Sequence, residues 1–334
     1  MSDEMVDDMT PHLVGKRPNT YTFTKALAEF VLVEESGELP VIIVRPSIIG
    51  VAWREPMAGW IDNLNGPTGL FAAVGKGLLQ SMLGNREATA DIIPVDVVSN
   101  FLISSAWYRH VEKFDQIPVI NVCSGRLNPL KWGRIEKSFR NWSQMPLEDM
   151  FRIPGPQFTT NKYARQYYDV VSHLIPAYVA DIICRLLGKR PRMVKIYKKL
   201  LKAVKTLEHF TTREWDFQSK GMVEVWERMS LEDRKLFCFD VRQLSWDHYL
   251  EMYMIGVKKY ILKEEMSNLP RARKNYNRLQ MWTTIMNVAA VAVVVRVLIK
   301  RSKLFRQAWY LLMRVLNVVW FLLKKPVAAL TAAP

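Results

Sequence analysis

Apolar positions set the frame. Phe23, Leu27, Phe30 and Val31 recur at helical spacing, which predicts a helix with that face buried against a core. Pro18 precedes it, and Asn19 or Thr20 serves as N-cap. Val41 to Val44 follow as a continuous, mostly β-branched apolar run, the pattern of a parallel strand covered on both faces. Helix, short loop, buried strand and a Pro/Gly turn make half of a βαβ unit. A glycine-bearing helix is expected around 69–77, and Phe101, Leu102 and Trp107 keep a helical period after Asp91–Val98. Val119 to Cys123 reads as the last strand, with Ser124-Gly125 as its turn. The first region, to about residue 140, is thus expected to be the second half of a doubly wound α/β sheet.

From about Pro156 the periodicity turns helical, with long segments at 167–188 and 193–210. The second sets Lys195, Lys198, Lys199, Lys202 and Lys205 beside an apolar stripe, either a solvated face or one turned to a membrane or to phosphates. Trp215, Trp226, Phe237, Phe239 and Trp246 are expected to fill the core of this part. Last, Leu279 to Val295 is seventeen residues without a charge, and the run reaches Ile299 if the stem of Arg296 snorkels. A bilayer span needs about 20 residues. Residues 304–323 form a second apolar stretch broken by Arg306 and Arg314. One span plus an interfacial helix, or a shallow hairpin, fits this tail; the alternative is a pair of buried core helices. Three regions result: 1–140, 156–265 and 279–323.

Charge sharpens the picture. The chain has 334 residues and a net charge of +15. After Glu265 it has twelve basic residues and no acidic one, which leaves 35 basic against 32 acidic in the first 265. Because the excess sits in an apolar tail, a membrane surface is the expected partner, not nucleic acid. Basic residues flank both sides of 279–299, so they do not orient it. Cys123, Cys184 and Cys238 are far apart, as in a reducing compartment, and argue against structural zinc or a disulfide framework. His173 and His209 have no partner at metal-ligand spacing, so no metal is expected. The glycines at 69–77 do not keep phosphate-loop spacing.

One pair carries a chemical mechanism. Tyr21 and Lys25 are four residues apart, so a helix stacks them on one face. A free phenol, with pKa about 10, is a weak acid near neutrality. An ammonium held beside a phenol favours the phenolate and makes the group a usable proton donor or acceptor. The strand end Arg45-Pro46-Ser47-Ile48-Ile49-Gly50 lies where such sheets place ligands.

Tyr-x-x-x-Lys followed by "IVRPSIIG" resembles the extended short-chain dehydrogenase/reductases. "RPNTYTFTKALAE", "EPMAGWIDNLNGPTGL", "GKG", "ADIIPVDVV", "FDVRQLSWDHYLE" and "GVKKYILKEE" narrow the resemblance to the alcohol-forming fatty acyl-CoA reductases, from about Arg17 to about Arg306. The resemblance implies a Rossmann-type fold and reduction of a long-chain acyl-CoA by NADPH, through the aldehyde, to a fatty alcohol. It implies Tyr21 as proton donor, with Lys25 supporting it and hydrogen-bonding the nicotinamide ribose. Pro46, Ser47 and Ile48 would pack against the nicotinamide. The irregular Trp53–Gly69 stretch would help shape the acyl pocket, or else be a packed surface loop. Asp96 is expected to N-cap the helix it opens. A peroxisomal or endoplasmic-reticulum membrane is the implied location, although the Ala-Ala-Pro end carries no retrieval signal for either.

One departure stands out. The family begins with a strand and a Gly-rich cofactor turn, and a serine or threonine partner for the tyrosine follows. Neither is found here, and Thr10 and Thr20 do not match that partner. Met1, followed by Asp3, Glu4, Asp7 and Asp8, is expected to be an internal or truncated start, and the 334-residue chain to bind NADPH negligibly. The alternative to a reductase is a catalytically silent, membrane-bound fragment that packs with a partner.

Overall fold

The computed structural model describes residues 3–323; Met1, Lys324, Lys325 and the terminal Ala-Ala-Pro lie outside them, with the expectations that rest on them. The chain divides into two compact bodies, 1–276 and 277–334.

The first body opens with helices α1 (Asp3–Val14) and α2 (Thr20–Glu35), then strands β1 (Ile43–Pro46) and β2 (Ile48–Gly50). Helix α3 (Pro67–Gly75), strands β3 (Ser81–Leu83) and β4 (Ile92–Pro94), helix α4 (Val95–Val111) and strand β5 (Val119–Val122) follow. Helix α5 (Trp132–Ser138) and strand β6 (Gln157–Thr159) lead into the helical part. That part holds α6 (Lys162–Tyr168), α7 (Ile175–Leu186), α8 (Met193–Thr211), α9 (Lys220–Arg228), α10 (Leu231–Leu236) and α11 (Trp246–Gly256).

All the strand pairs are parallel: β1 with β5, β2 with β4, and β3 with β6. Val119–Cys123 is therefore not the last strand. The sequence hides β3 and β6 because each has only three residues and β3 is wholly buried, which leaves no alternation to read. The expectation for α2 is corrected as well. The helix forms, but it buries no residue, and Phe30 is 60% exposed. No described element covers the face of Leu27, Phe30 and Val31, so its amphipathic pattern has nothing to pack on.

Residues from the 1–140 and 156–265 stretches share one core. Phe101 of α4 meets Phe239 edge to face at 5.2 Å, and Ile120 and Val122 of β5 join Met222 and Val225 of α9. Phe239 and Trp246 are buried, as expected; Trp226 and Phe237 are half-buried, and Trp215 is exposed, stacked on Phe217 at the surface. Tyr253 of α11 stacks on Phe71 of α3 at 4.3 Å. A Cβ added to Gly256 would lie 1.8 Å from the Gly59 carbonyl oxygen, so α11 and the Trp53–Gly69 loop meet backbone to backbone. Just beyond α11, Lys258 is 1% exposed; its Nζ donates to the Pro146 carbonyl at 2.9 Å and to Glu264 at 3.0 Å.

Helix α12 (Leu269–Arg301) continues into the second body, where α13 (Lys303–Leu323) follows. With 33 residues α12 is about 50 Å long, against about 30 Å for a bilayer core. It contains an 18-residue window of mean hydropathy 1.9, none of it buried, so it is a candidate membrane anchor and not a core helix of the described residues.

Candidate active site

The local chemistry of α2 places the tyrosine and lysine. Asn19 takes the N-cap in extended conformation, and its side chain accepts the Thr22 N–H at 2.9 Å. The Thr22 hydroxyl donates back to the Asn19 carbonyl at 2.9 Å, which closes the first turn. Tyr21 and Lys25 then stand one turn apart, with the Lys25 Nζ 5.9 Å from the Tyr21 ring centroid. Both are open to solvent, Tyr21 at 63%.

A second link joins this helix to the strand. The Arg45 guanidinium forks onto the Glu29 carboxylate, with Nε to Oε1 at 2.8 Å and the other nitrogen on Oε2. That hydrogen bond holds the Glu29 carboxyl below its ordinary range against a smaller opposing effect of burial, and it raises Arg45. With Arg45 exposed and Glu29 still partly in contact with water, the pair contributes about 0–1 kcal/mol, so it sets position more than stability.

Pro46, Ser47 and Ile48 sit where one strand changes partners. Up to Pro46 it pairs with β5; from Ile48 it pairs with β4. At the break the Ser47 N–H still reaches the Val122 carbonyl at 2.9 Å, while the Ile48 N–H bonds the Asp91 carbonyl at 3.0 Å. The Ser47 hydroxyl donates to Asp91 Oδ1 at 2.9 Å. The same oxygen accepts the Ser124 N–H at 2.8 Å and its hydroxyl at 3.2 Å. Asp91 is buried and ties together the ends of three strands; its Oδ2 has no hydrogen-bond partner. Burial, and then the Asp91 charge, push the neighbouring Cys123 thiol up to about 12, which keeps it protonated. Sequence reasoning missed Asp91 and Ser124. The available signal was an acid at the mouth of the apolar run Ile92-Ile93-Pro94.

Asp96 corrects another expectation. Pro94 occupies the N-cap of α4, and Asp96 lies within the first turn. Its carboxylate instead accepts the backbone N–H groups of Trp53, Arg54 and Glu55 at 2.8, 2.7 and 3.1 Å. Bent back over the helix start, the loop offers three donors, and a buried carboxylate takes them in preference to its own helix. The next part of the loop, Trp60 to Leu64, lines a cavity of about 380 Å³ with Tyr260, Ile261 and Lys263. A groove of about 1250 Å³ runs past Arg86, Lys131, Arg134, Lys137 and Arg140. Tyr21, Lys25, Pro46, Ser47 and Ile48 line neither.

The Arg45–Glu29 fork links the helix that carries Tyr21 and Lys25 to the strand that leads into Pro46, Ser47 and Ile48. The phenol and ammonium are open to solvent, and the strand passes from β5 to β4 within the Pro46-Ser47-Ile48 turn. The described residues contain no Gly-rich βα turn to seat a pyrophosphate. They also hold no cluster of three or more His, Cys, Asp or Glu side chains placed for a metal.

Comparison with known proteins places these features in context. Two family models, both described as male sterility protein, match: an NAD-binding one over residues 1–102 and a second over 172–264. Proteins named fatty acyl-CoA reductase 1 from Gallus gallus and Homo sapiens are 45% identical over 311 residues, and fatty acyl-CoA reductase 2 from Mus musculus is 42% identical over the same length. In each case the match covers 93% of this chain and 60% of the relative.

Proposed function

We propose, on the premise that this chain belongs to the fatty acyl-CoA reductase family, that it carries the proton-donating part of a site that reduces a long-chain acyl-CoA to a fatty alcohol with NADPH. The observation that carries the reading is the Arg45–Glu29 fork, which ties the Tyr21/Lys25 helix to the strand leading into Pro46-Ser47-Ile48. When bound, one NADPH would supply hydride to the thioester carbonyl, whose adduct collapses to the aldehyde with release of CoA thiol, and a second NADPH would supply hydride to the aldehyde. The Tyr21 hydroxyl gives its proton to the carbonyl oxygen. Lys25 stabilises the phenolate left behind and hydrogen-bonds the nicotinamide ribose. Pro46, Ser47 and Ile48 pack against the nicotinamide, with Ser47 oriented by Asp91. The loop held by Asp96 shapes the acyl pocket.

In this reading residues 1–140 carry the cofactor side of a doubly wound sheet and 156–265 a helical domain. Residues 279–323 hold the protein on a peroxisomal or endoplasmic-reticulum membrane. A second reading, a silent membrane-bound partner protein, draws support from α2, which buries nothing and offers Leu27, Phe30 and Val31 for contact.

The test compares the 334-residue chain with the same chain fused behind a strand and Gly-rich turn of the kind the family places ahead of this region. Supplied with NADPH and palmitoyl-CoA, the fusion should make alcohol and the chain alone should not. Tyr21→Phe in the fusion should lower turnover by about 10²–10⁴-fold with cofactor binding nearly intact. Undiminished turnover would remove Tyr21 from the mechanism, and a fusion that binds NADPH yet makes no alcohol would favour the second reading.

A further inference from the structure

Helix α7 wears its amphipathicity inside out. Its buried face carries Ala177 and Asp181, while Ile175, Tyr178, Val179, Ile182, Ile183 and Leu186 stand exposed at helical spacing. Ile182 is 55% exposed and Leu186 81%. A contiguous apolar stripe of this kind marks a contact with something apolar.

The neighbouring charge says what that something is. Asp181 is the acid of α7, and it is spent inward: its carboxylate accepts the N–H groups of Arg192, Met193 and Val194 at 3.0, 2.8 and 3.0 Å, which pins the start of α8 to α7. Burial alone would raise this carboxyl; the three donors and Arg185 outweigh it and hold it below the usual range. From Ile182 to Leu207 the chain has nine basic residues and no acidic one. Lys195, Lys198, Lys199, Lys202 and Lys205 share one exposed face of α8. The flanking acids, Asp169 and Glu208, both pair with Arg165, which leaves about one negative charge beside the five lysines.

An apolar protein surface would cover the isoleucines and strand the lysines. A polyanion would pair the lysines and leave the isoleucines in water. An anionic bilayer satisfies both, with acyl chains for the stripe and headgroup phosphates for the cations. We propose that the α7–α8 hairpin is an interfacial docking surface that lays the Ile175–Leu186 stripe into the headgroup–acyl boundary of an anionic membrane. It belongs to the first compact body and is distinct from the apolar run of α12. It also stands whether or not the chain is part of a reductase.

The full chain, reconstituted from detergent, tests this. In a background with Cys184→Ser and Cys238→Ser, an environment-sensitive fluorophore is placed at Leu186→Cys and, as control, at the exposed Lys113→Cys. The vesicles are phosphatidylcholine with about 30% phosphatidylserine, matching the attraction of basic segments to anionic leaflets. The probe at position 186 should shift to the blue and be quenched by spin-labelled lipid, and the probe at 113 should not. The combined K195E/K198E/K199E/K202E variant, or high salt, should bring quenching at 186 down to the control level while the chain stays in the vesicle fraction. An unquenched, water-like probe at 186 overturns the proposal. So does quenching indifferent to phosphatidylserine, salt and the lysines, or a blue shift in lipid-free detergent that grows with protein concentration, which would assign the stripe to a second copy of the chain.

Discussion

Helices α2 and α11 were made by different means. Helix α2 has sixteen residues, a well-formed Asn19 cap and no buried side chain. Helix α11 has eleven residues and no side-chain cap, yet it buries six of them, Trp246, Tyr249, Leu250, Tyr253, Met254 and Gly256. Local hydrogen bonding defines the first, and tertiary interlock defines the second. The residues with the clearest chemical signature, Tyr21 and Lys25, thus sit on a helix that buries none of its side chains. The chemically quiet helix holds the fold. A proton donor needs a water-excluded, fixed position to be effective, so α2 acquires one only when something covers it.

The largest effect is expected on the interlocked side. Lys258→Ala leaves Glu264 buried without its closest cation; Lys76 remains, at 3.4 Å. Breaking such a pair costs about 3–5 kcal/mol, read as a lower urea midpoint for the first body. A loss under about 1 kcal/mol would mean that Lys76 takes over and that this region is less tightly specified than its burial implies.

Asn19→Ala comes next, at about 1 kcal/mol from the lost cap. It should appear as faster amide exchange confined to 20–35, with α11 unchanged. Faster exchange in α11 as well would show the two helices to be one cooperative unit and erase the contrast.

Phe30→Ser should change stability least, within about ±0.5 kcal/mol, because the side chain already faces water. A clear destabilisation measured by the same denaturation would reveal a cover over α2.

Much was legible in the residues themselves. The Asn19 cap and the helix behind it need only their own backbone and neighbours, so the pattern around Pro18 and Asn19 sufficed. The strand at Ile43–Pro46, helices α3, α4 and α8, and the apolar length of α12 were likewise written in local periodicity. The candidate site was half legible. Tyr21, Lys25 and Pro46-Ser47-Ile48 carried a pattern, whereas Asp91 and Ser124 carried almost none. They lie 44 and 77 positions beyond Ser47 and meet it only because β4 starts where β1 and β5 end.

Periodicity specifies a face, and it does so by itself; what lies against that face is a property of the whole fold. Phe23, Leu27 and Phe30 in α2 and Ile175, Ile182 and Leu186 in α7 follow the same 3.6-residue rule as a core helix. Among the described residues neither stripe is buried: Phe23 is half-buried and the others stand open. Asp96 was likewise a helix-cap candidate by its position, until the loop at Trp53–Glu55 presented three nearer donors. Hydrogen bonds between near neighbours and side-chain spacing act within a few residues, so the sequence by itself determined helices, strands and faces. Burial and convergence depend on segments far apart in the chain, and only the tertiary structure decided those.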